Sequence, residues 1–273
     1  MERHANTSDI NFFMAGCPRC GTTWVHMALK DHPQIYLPSR KQTYFFDVNY
    51  EKGIDWYLES YRGIEKCHKA VGEISTGYSL PHAMPQLAKH FPHARIMLAM
   101  RDPAERAYSF FQSRAVSAGW ENIREATAAK PGILDQGRYI EHVERIYEHF
   151  PRDRVLLLFY DDLKIDDRAY LRQILEFLDV DPSHESNQLG RMVQVAAFPR
   201  TRRLLRRMKL GPVLDQVSRS VIGDYLRKSL KSSSRPRYPA MDAATRAYLY
   251  DYYKPFNDRL AQLTGRDLSS WNG

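Results

Sequence analysis

Residues 10–30, INFFMAGCPRCGTTWVHMALK, constrain the fold more than any other stretch of the chain. The apolar run Ile10–Ala15 is too short for a helix and reads as a buried strand. It enters a loop bounded by Gly16 and Gly21, and a helix is expected from Thr22 to Lys30, ending before His32-Pro33. Strand, glycine loop and helix in succession are the building unit of α/β proteins with a largely parallel sheet. The G-x-x-x-x-G spacing lets backbone wrap an anion, and the first turn of the helix points unpaired N–H groups at it. The lysine that follows the second glycine in nucleoside-triphosphate hydrolases is missing. Thr22 stands there, and the loop's positive charge is Arg19. Cys17 and Cys20 also satisfy a C-x-x-C redox spacing at a strand-to-helix junction, but they supply only two of the four ligands a zinc site needs.

The rest of the chain repeats the alternation. Lys69–Ile74, Arg95–Met100 and Val155–Tyr160 read as further strands, and Ala104–Val116, Arg138–His149 and Arg168–Leu178 as helices. Leu171, Ile174, Leu175 and Leu178 fall on one helical stripe. Leu249, Tyr253, Phe256, Leu260 and Leu263 form another, in which Pro255 is expected to open a new helix or kink the existing one. Gly16, Glu73, Arg101 and Asp161 each lie close to the end of an expected strand. Ligands of open α/β sheets bind at the carboxyl ends of strands, so these four points are candidates for one site.

With 273 residues the chain is long enough for a substantial core, and three cysteines are too few for a disulfide scaffold. No apolar run approaches the roughly 20 residues of a membrane span, and the N-terminal residues lack a signal-peptide layout, so a cytoplasmic location is expected. The net charge of +8 is unevenly placed: residues 200–237 carry 12 Lys/Arg against Asp215 and Asp224. One domain over residues 1–273 is expected, with a basic, partly helical insertion around 188–237 that suits contact with anionic ligands or surfaces. Aromatic residues are sparse there, which argues against a nucleic-acid partner.

Several motifs together resemble a known family. The loop PRCGTTW is similar to the PRSGTTW or PKSGTTW loop of sulfotransferases that use 3′-phosphoadenosine 5′-phosphosulfate (PAPS). RDPAERAYS resembles the family's R-D-P-x-x-R-x-x-S element. KQTYFFD resembles the K-E-x-H-F-F-D segment of the heparan-sulfate branch, VGEISTGY its G-E-K-S-P-x-Y segment, and FYDDL its Y-E-D-L element. The C-terminal RYPAMDAATRAYLYDYYKPFNDRLAQLTGRDLSSW is also similar to that branch, so the resemblance spans nearly the whole chain.

The resemblance implies a P-loop-like three-layer α/β fold with a central, mostly parallel sheet flanked by helices. It implies PAPS as co-substrate, no metal, and adenosine 3′,5′-bisphosphate (PAP) as product. Arg19, Cys20, Gly21, Thr22 and Thr23 would hold the 5′-phosphosulfate, with Cys20 in the place of a serine whose contacts are largely backbone. Arg101 and Ser109 would hold the 3′-phosphate. Trp24 would stack on adenine or pack in the core, and Lys231, Arg235 and Arg237 in KSSSRPRYP fit a further phosphate-binding loop. Sulfuryl transfer needs the leaving phosphate neutralised, for which Arg19 and Lys41 are the candidates, and a base for the acceptor's proton.

The expected base is where the chain departs from the pattern. The branch's glutamate after the lysine is Gln42 here, and an amide is no base; Tyr44 replaces the histidine and Ile74 a lysine. Either Gln42 orients the acceptor while another group, with Glu73 the candidate, takes the proton, or the position was altered and the protein is slow, or the acceptor needs little help. The resemblance implies an acceptor that is a hydroxyl, or less readily an amine, of a glycan, lipid or small natural product. A divergent small-molecule kinase and a PAPS- or PAP-binding protein with little activity remain as alternatives.

Overall fold

A computed structural model describes residues 5–191 and 240–273. Five short strands, β1 (Phe12–Met14), β2 (Ile35–Tyr36), β3 (Ala70–Ile74), β4 (Arg95–Met100) and β5 (Val155–Phe159), form one sheet in the order β2-β3-β1-β4-β5. Every neighbouring pair is parallel. Parallel pairing requires a crossover between strands, and the chain supplies helices for it. These are α1 (Thr22–Lys30), α2 (Gly53–Leu58), α3 (Met84–His90), α4 (Pro103–Ala118), α5 (Ile123–Ala129), α6 (Gly132–Asp135) and α7 (Tyr139–His149). After β5 come α8 (Tyr160–Ile165), α9 (Asp167–Phe177) and α10 (Ala243–Thr264).

All residues of β1 and β3 are buried, as are Ile96 to Met100 of β4. A strand buried at every position has both faces covered, which is the pattern of a parallel sheet flanked by helices. The main core joins the strands to α1, α3, α7 and α9. A second apolar cluster packs α4, α5 and α6 against α10 through Tyr108, Phe111, Ile123, Leu134, Leu249 and Tyr253.

Element ends follow local chemistry. Pro103 takes the first position of α4, and the Asp102 carboxylate accepts from the N–H groups of Ala104 and Glu105, capping the helix. Pro255 neither ends nor restarts the last helix: α10 runs unbroken through it. Pro255 and Asp251, whose carbonyl loses its helical donor, are both on the exposed face, so water can serve that carbonyl. Ile10–Ala15 shortens to the three residues of β1, although Ala15 and Cys17 continue to donate to Met97 and Ala99 of β4 at 2.8 and 2.9 Å.

Candidate active site

The chain leaves β1 at its carboxyl end and turns through Gly16–Gly21 into α1. Gly21 adopts φ +84°, and a Cβ there would meet the Tyr160 and Leu163 side chains at 3.0 and 3.1 Å. Both the backbone and the space select glycine. No side chain caps α1, so the N–H groups of its first turn are left for a ligand. The strand, glycine-bounded loop and open helix start expected from the spacing are therefore present.

The cysteines are turned into the core. Cys17 and Cys20 are buried, the Cys20 Sγ lies 3.4 Å from the Tyr139 hydroxyl, and burial pushes both thiols above their ordinary range. A redox thiol needs an accessible thiolate, so C-x-x-C is here a packing element. Cys20 has only its backbone to offer an anion. Trp24 is also a core residue, its ring edge-on to Tyr170 at 6.0 Å. Of the two roles read for it, packing is the one its placement serves.

Cationic and hydroxyl groups converge on the loop. Arg19, itself at φ +72°, donates from Nε to the Ser109 Oγ at 3.0 Å, joining the loop to α4. Lys41 donates from Nζ to the Thr23 Oγ1 at 2.8 Å, and burial lowers its pKa to about 8. Thr22 is buried beside it in sequence. Arg101 leaves the end of β4, stacks over the Tyr160 ring at 5.2 Å and pairs with Glu105 at 3.5 Å. Tyr160 thus lies between Gly21 and Arg101. Lys231, Arg235 and Arg237 fall outside the described residues.

The segment carrying Lys41 and Gln42 is pinned from beneath by Glu73. This carboxylate is within β3, fully buried, and accepts from the Thr43 N–H, the Thr43 hydroxyl at 3.0 Å and the Tyr78 hydroxyl at 2.8 Å. Burial raises its pKa to about 7 against the pull of those donors. A base must reach the acceptor's proton, whereas both oxygens of Glu73 are engaged inside the core. The reading of Glu73 as the proton acceptor gives way to one in which it positions the loop.

Gln42 accepts at Oε1 from the Thr76 hydroxyl at 3.1 Å and the Thr76 N–H at 3.4 Å. A backbone N–H can only donate, so the amide oxygen is assigned to Thr76 and the amide's N–H groups are what remain for an acceptor. The next residue, Gly77, lies under Asp47: a Cβ at Gly77 would fall 2.0 Å from the Asp47 Oδ2. The Asp47 Oδ1 is buried with no hydrogen-bond partner, and burial raises the carboxyl above its ordinary value. The composition of KQTYFFD contains Asp47, but nothing in it distinguishes this aspartate from a solvated one.

Other titratable groups lie near these motifs. Asp161 accepts from the Trp271 indole N–H at 3.0 Å and pairs with Lys164, tying α8 to the C-terminal segment. His26 has its pKa lowered to about 4, by burial first and then by Lys41 and Lys30. The ring of His32 contacts the Asp181 carbonyl, and that of His82 the Asp47 carbonyl. Among the described residues no group of three or more His, Cys, Asp or Glu side chains could hold a metal ion.

This fold and loop belong to a defined class. Residues 9–254 match the model of the sulfotransferase domain, and the chain is a member of the sulfotransferase-domain family. It is 27% identical over 286 residues to the bifunctional heparan sulfate N-deacetylase/N-sulfotransferase 3 of Homo sapiens, covering 95% of this chain and 31% of that protein. With the corresponding enzyme 2 of Bos taurus the identity is 25%, over 95% of this chain and 30% of the relative. The chain thus spans about a third of the length of these curated relatives. Among solved structures, a sulfotransferase from Alicyclobacillus acidocaldarius superposes with a TM-score of 0.70 at 21% identity, covering 97% of this chain and 99% of that one. The sulfotransferase domain of the Synechococcus PCC 7002 olefin synthase gives 0.51 at 17% identity, covering 98% of each chain. These likenesses are of fold.

Proposed function

We propose that this sulfotransferase takes the sulfuryl group from PAPS and passes it to a hydroxyl of a carbohydrate or small natural product, releasing PAP. The observation that carries this reading is the uncapped first turn of α1 with Arg19, Lys41 and Ser109 drawn to the same loop. A 5′-phosphosulfate fits the first-turn N–H groups, and a 3′-phosphate fits the Arg101 and Ser109 side. Arg19 bridges the two regions, because its Nε already rests on Ser109. A phosphate leaving group gains charge as the S–O bond breaks. Arg19 and Lys41 stabilise that charge electrostatically, and neither needs to give up a proton.

On the acceptor side, Asp47 takes the proton and Gln42 orients the nucleophile. A buried carboxylate oxygen without a donor calls for a partner, and an acceptor hydroxyl is a donor. The Gln42 amide, held by Thr76, offers an N–H to another oxygen of the same molecule. The heparan sulfate relatives support a carbohydrate, while the exposed Tyr44 and Val48 beside Asp47 favour an acceptor with an apolar face.

The test is transfer from radiolabelled PAPS to a panel of acceptors by wild type, Asp47→Asn and Gln42→Glu. Asp47→Asn is expected to lose about 10²- to 10⁴-fold in kcat with PAP affinity retained. Gln42→Glu is expected to change kcat by less than about tenfold, the lower limit of a general base's contribution being ~10²-fold. A large gain in Gln42→Glu, or full activity in Asp47→Asn, would show that Asp47 is not the base.

A further inference from the structure

A carboxylate stands in the middle of the site read for the 3′-phosphate. Glu105, in the first turn of α4, follows Arg101 by four residues and precedes Ser109 by four, which puts Glu105 and Ser109 on one face of the helix. A phosphate held by Arg101 and Ser109 comes up against Glu105, and like charges so placed repel. Each Glu105 oxygen holds one arginine. Oε2 accepts from the Arg101 Nη2 at 3.5 Å, and Oε1 from the Nη2 of Arg246, on α10, at 3.4 Å. Both contacts are long beside the about 2.7–2.9 Å of a tight charged pair. All three side chains are partly exposed.

The neighbouring groups decide which member of this trio can move. Asp102, the other acid here, is committed at both oxygens. Oδ1 accepts from the Ala104 and Glu105 N–H groups, and Oδ2 from the Tyr250 hydroxyl at 3.2 Å. That hydroxyl in turn accepts from the Arg246 Nη1 at 3.0 Å. One arm of the Arg246 guanidinium is thus anchored on the Tyr250–Asp102 pair, while the other meets Glu105. From the loop side, Arg19 donates to Ser109. Glu105 is held only by two loose arginine contacts, and a carboxylate between two guanidiniums has the place and the charge of a bridging anion.

We infer that Glu105 is an internal stand-in for the 3′-phosphate, holding Arg101 until the phosphate takes its place, and that Arg246 is the positioning residue that draws Glu105 aside when it does. Arg246 does not touch the nucleotide. It acts through Glu105, so that the displaced carboxylate keeps a cation instead of facing the phosphate. The inference rests on the reading of Arg101 and Ser109 as holders of the 3′-phosphate. A purely structural trio would tie α10 to α4 and would not distinguish nucleotides with that phosphate from those without it.

The experiment is calorimetric titration of PAP and of AMP into wild type, Glu105→Gln, Arg246→Gln and the double variant. Glu105→Gln removes the competing charge and is expected to tighten PAP by about threefold or more, whereas Arg246→Gln weakens it by about threefold or more. AMP, which lacks the 3′-phosphate, is expected to stay within about 1.5-fold of wild type in both. In the Glu105→Gln background, Arg246→Gln is expected to change PAP by less than about 1.5-fold, because the group it acts on is gone. Unchanged or weaker PAP binding in Glu105→Gln, AMP shifting as much as PAP, or an Arg246→Gln effect that persists in full in the double variant would overturn the proposal. Should Arg246→Gln fail to fold, Glu105→Gln decides alone: PAP-selective tightening supports the stand-in, and its absence refutes it. Wild type binding PAP no tighter than AMP would remove the 3′-phosphate reading itself, a result distinct from each of these.

Discussion

Lys41 is the residue whose chemistry the fold changes most visibly. Desolvation favours its neutral form and brings its pKa to about 8, so it is charged below that value and neutral above it. An anion in the loop favours the charged form, and its binding is lost as the free protein deprotonates. We therefore expect kcat/KM for the sulfuryl donor to be level below pH of about 8 and to fall above it, with Lys41→Arg weaker overall but level through the same range. A pH–rate profile for the two proteins checks this. A fall that persists in Lys41→Arg would assign it to another group.

What was legible at this scale was residue type and spacing, and what was hidden was burial. Arg19, Thr23, Lys41 and Ser109 could be named because their motifs place them near phosphate, and the structure brings them to one loop. Glu73 and Asp47 are both carboxylates after apolar residues in sequence. Only packing reveals that Glu73 has three donors and that one oxygen of Asp47 has none. The two carboxylates therefore differ in hydrogen bonding, a difference the sequence does not carry.

Elements were readable where periodicity was long. β4 matches its expected bounds, and α7 and α9 lie within a residue or two of theirs, because their apolar patterns run for whole turns or a whole strand. The two-residue β2 and the six-residue α2 offer too few positions for a period to show. Pro255 misled for a different reason: it signals a break, yet α10 packs on α4 and α7 from both sides of it and stays continuous. The packing holds a helix that the local chain disfavours. Replacing this exposed proline should recover part of the roughly 3 kcal/mol that an interior proline costs. Pro255→Ala is expected to be more stable by about 1–3 kcal/mol in denaturant unfolding. An unchanged midpoint would mean that α10 bears no such cost.

For the molecule as a whole, the order β2-β3-β1-β4-β5 decides where function sits. With β1 central and all strands parallel, the ends of β1, β3 and β4 present the Gly16–Gly21 loop, Thr76 and Arg101 along one edge of the sheet. Arg19, Thr76 and Arg101 reach that edge each through its own strand, and Lys41 is joined to it by its hydrogen bond to Thr23. Among the described residues no helix is long and apolar enough to cross a membrane.

The central claim is that the edge is built for a nucleotide with phosphate groups at both its 3′ and 5′ positions. Calorimetric titration with PAP, AMP and ADP tests it without any knowledge of the acceptor. PAP is expected to bind tighter than AMP by about tenfold or more, the worth of one further charged hydrogen-bonded phosphate, and tighter than ADP, whose second phosphate is on the 5′ side, with no added metal. Equal affinity for the three, or binding of ADP that requires Mg²⁺, would contradict the account.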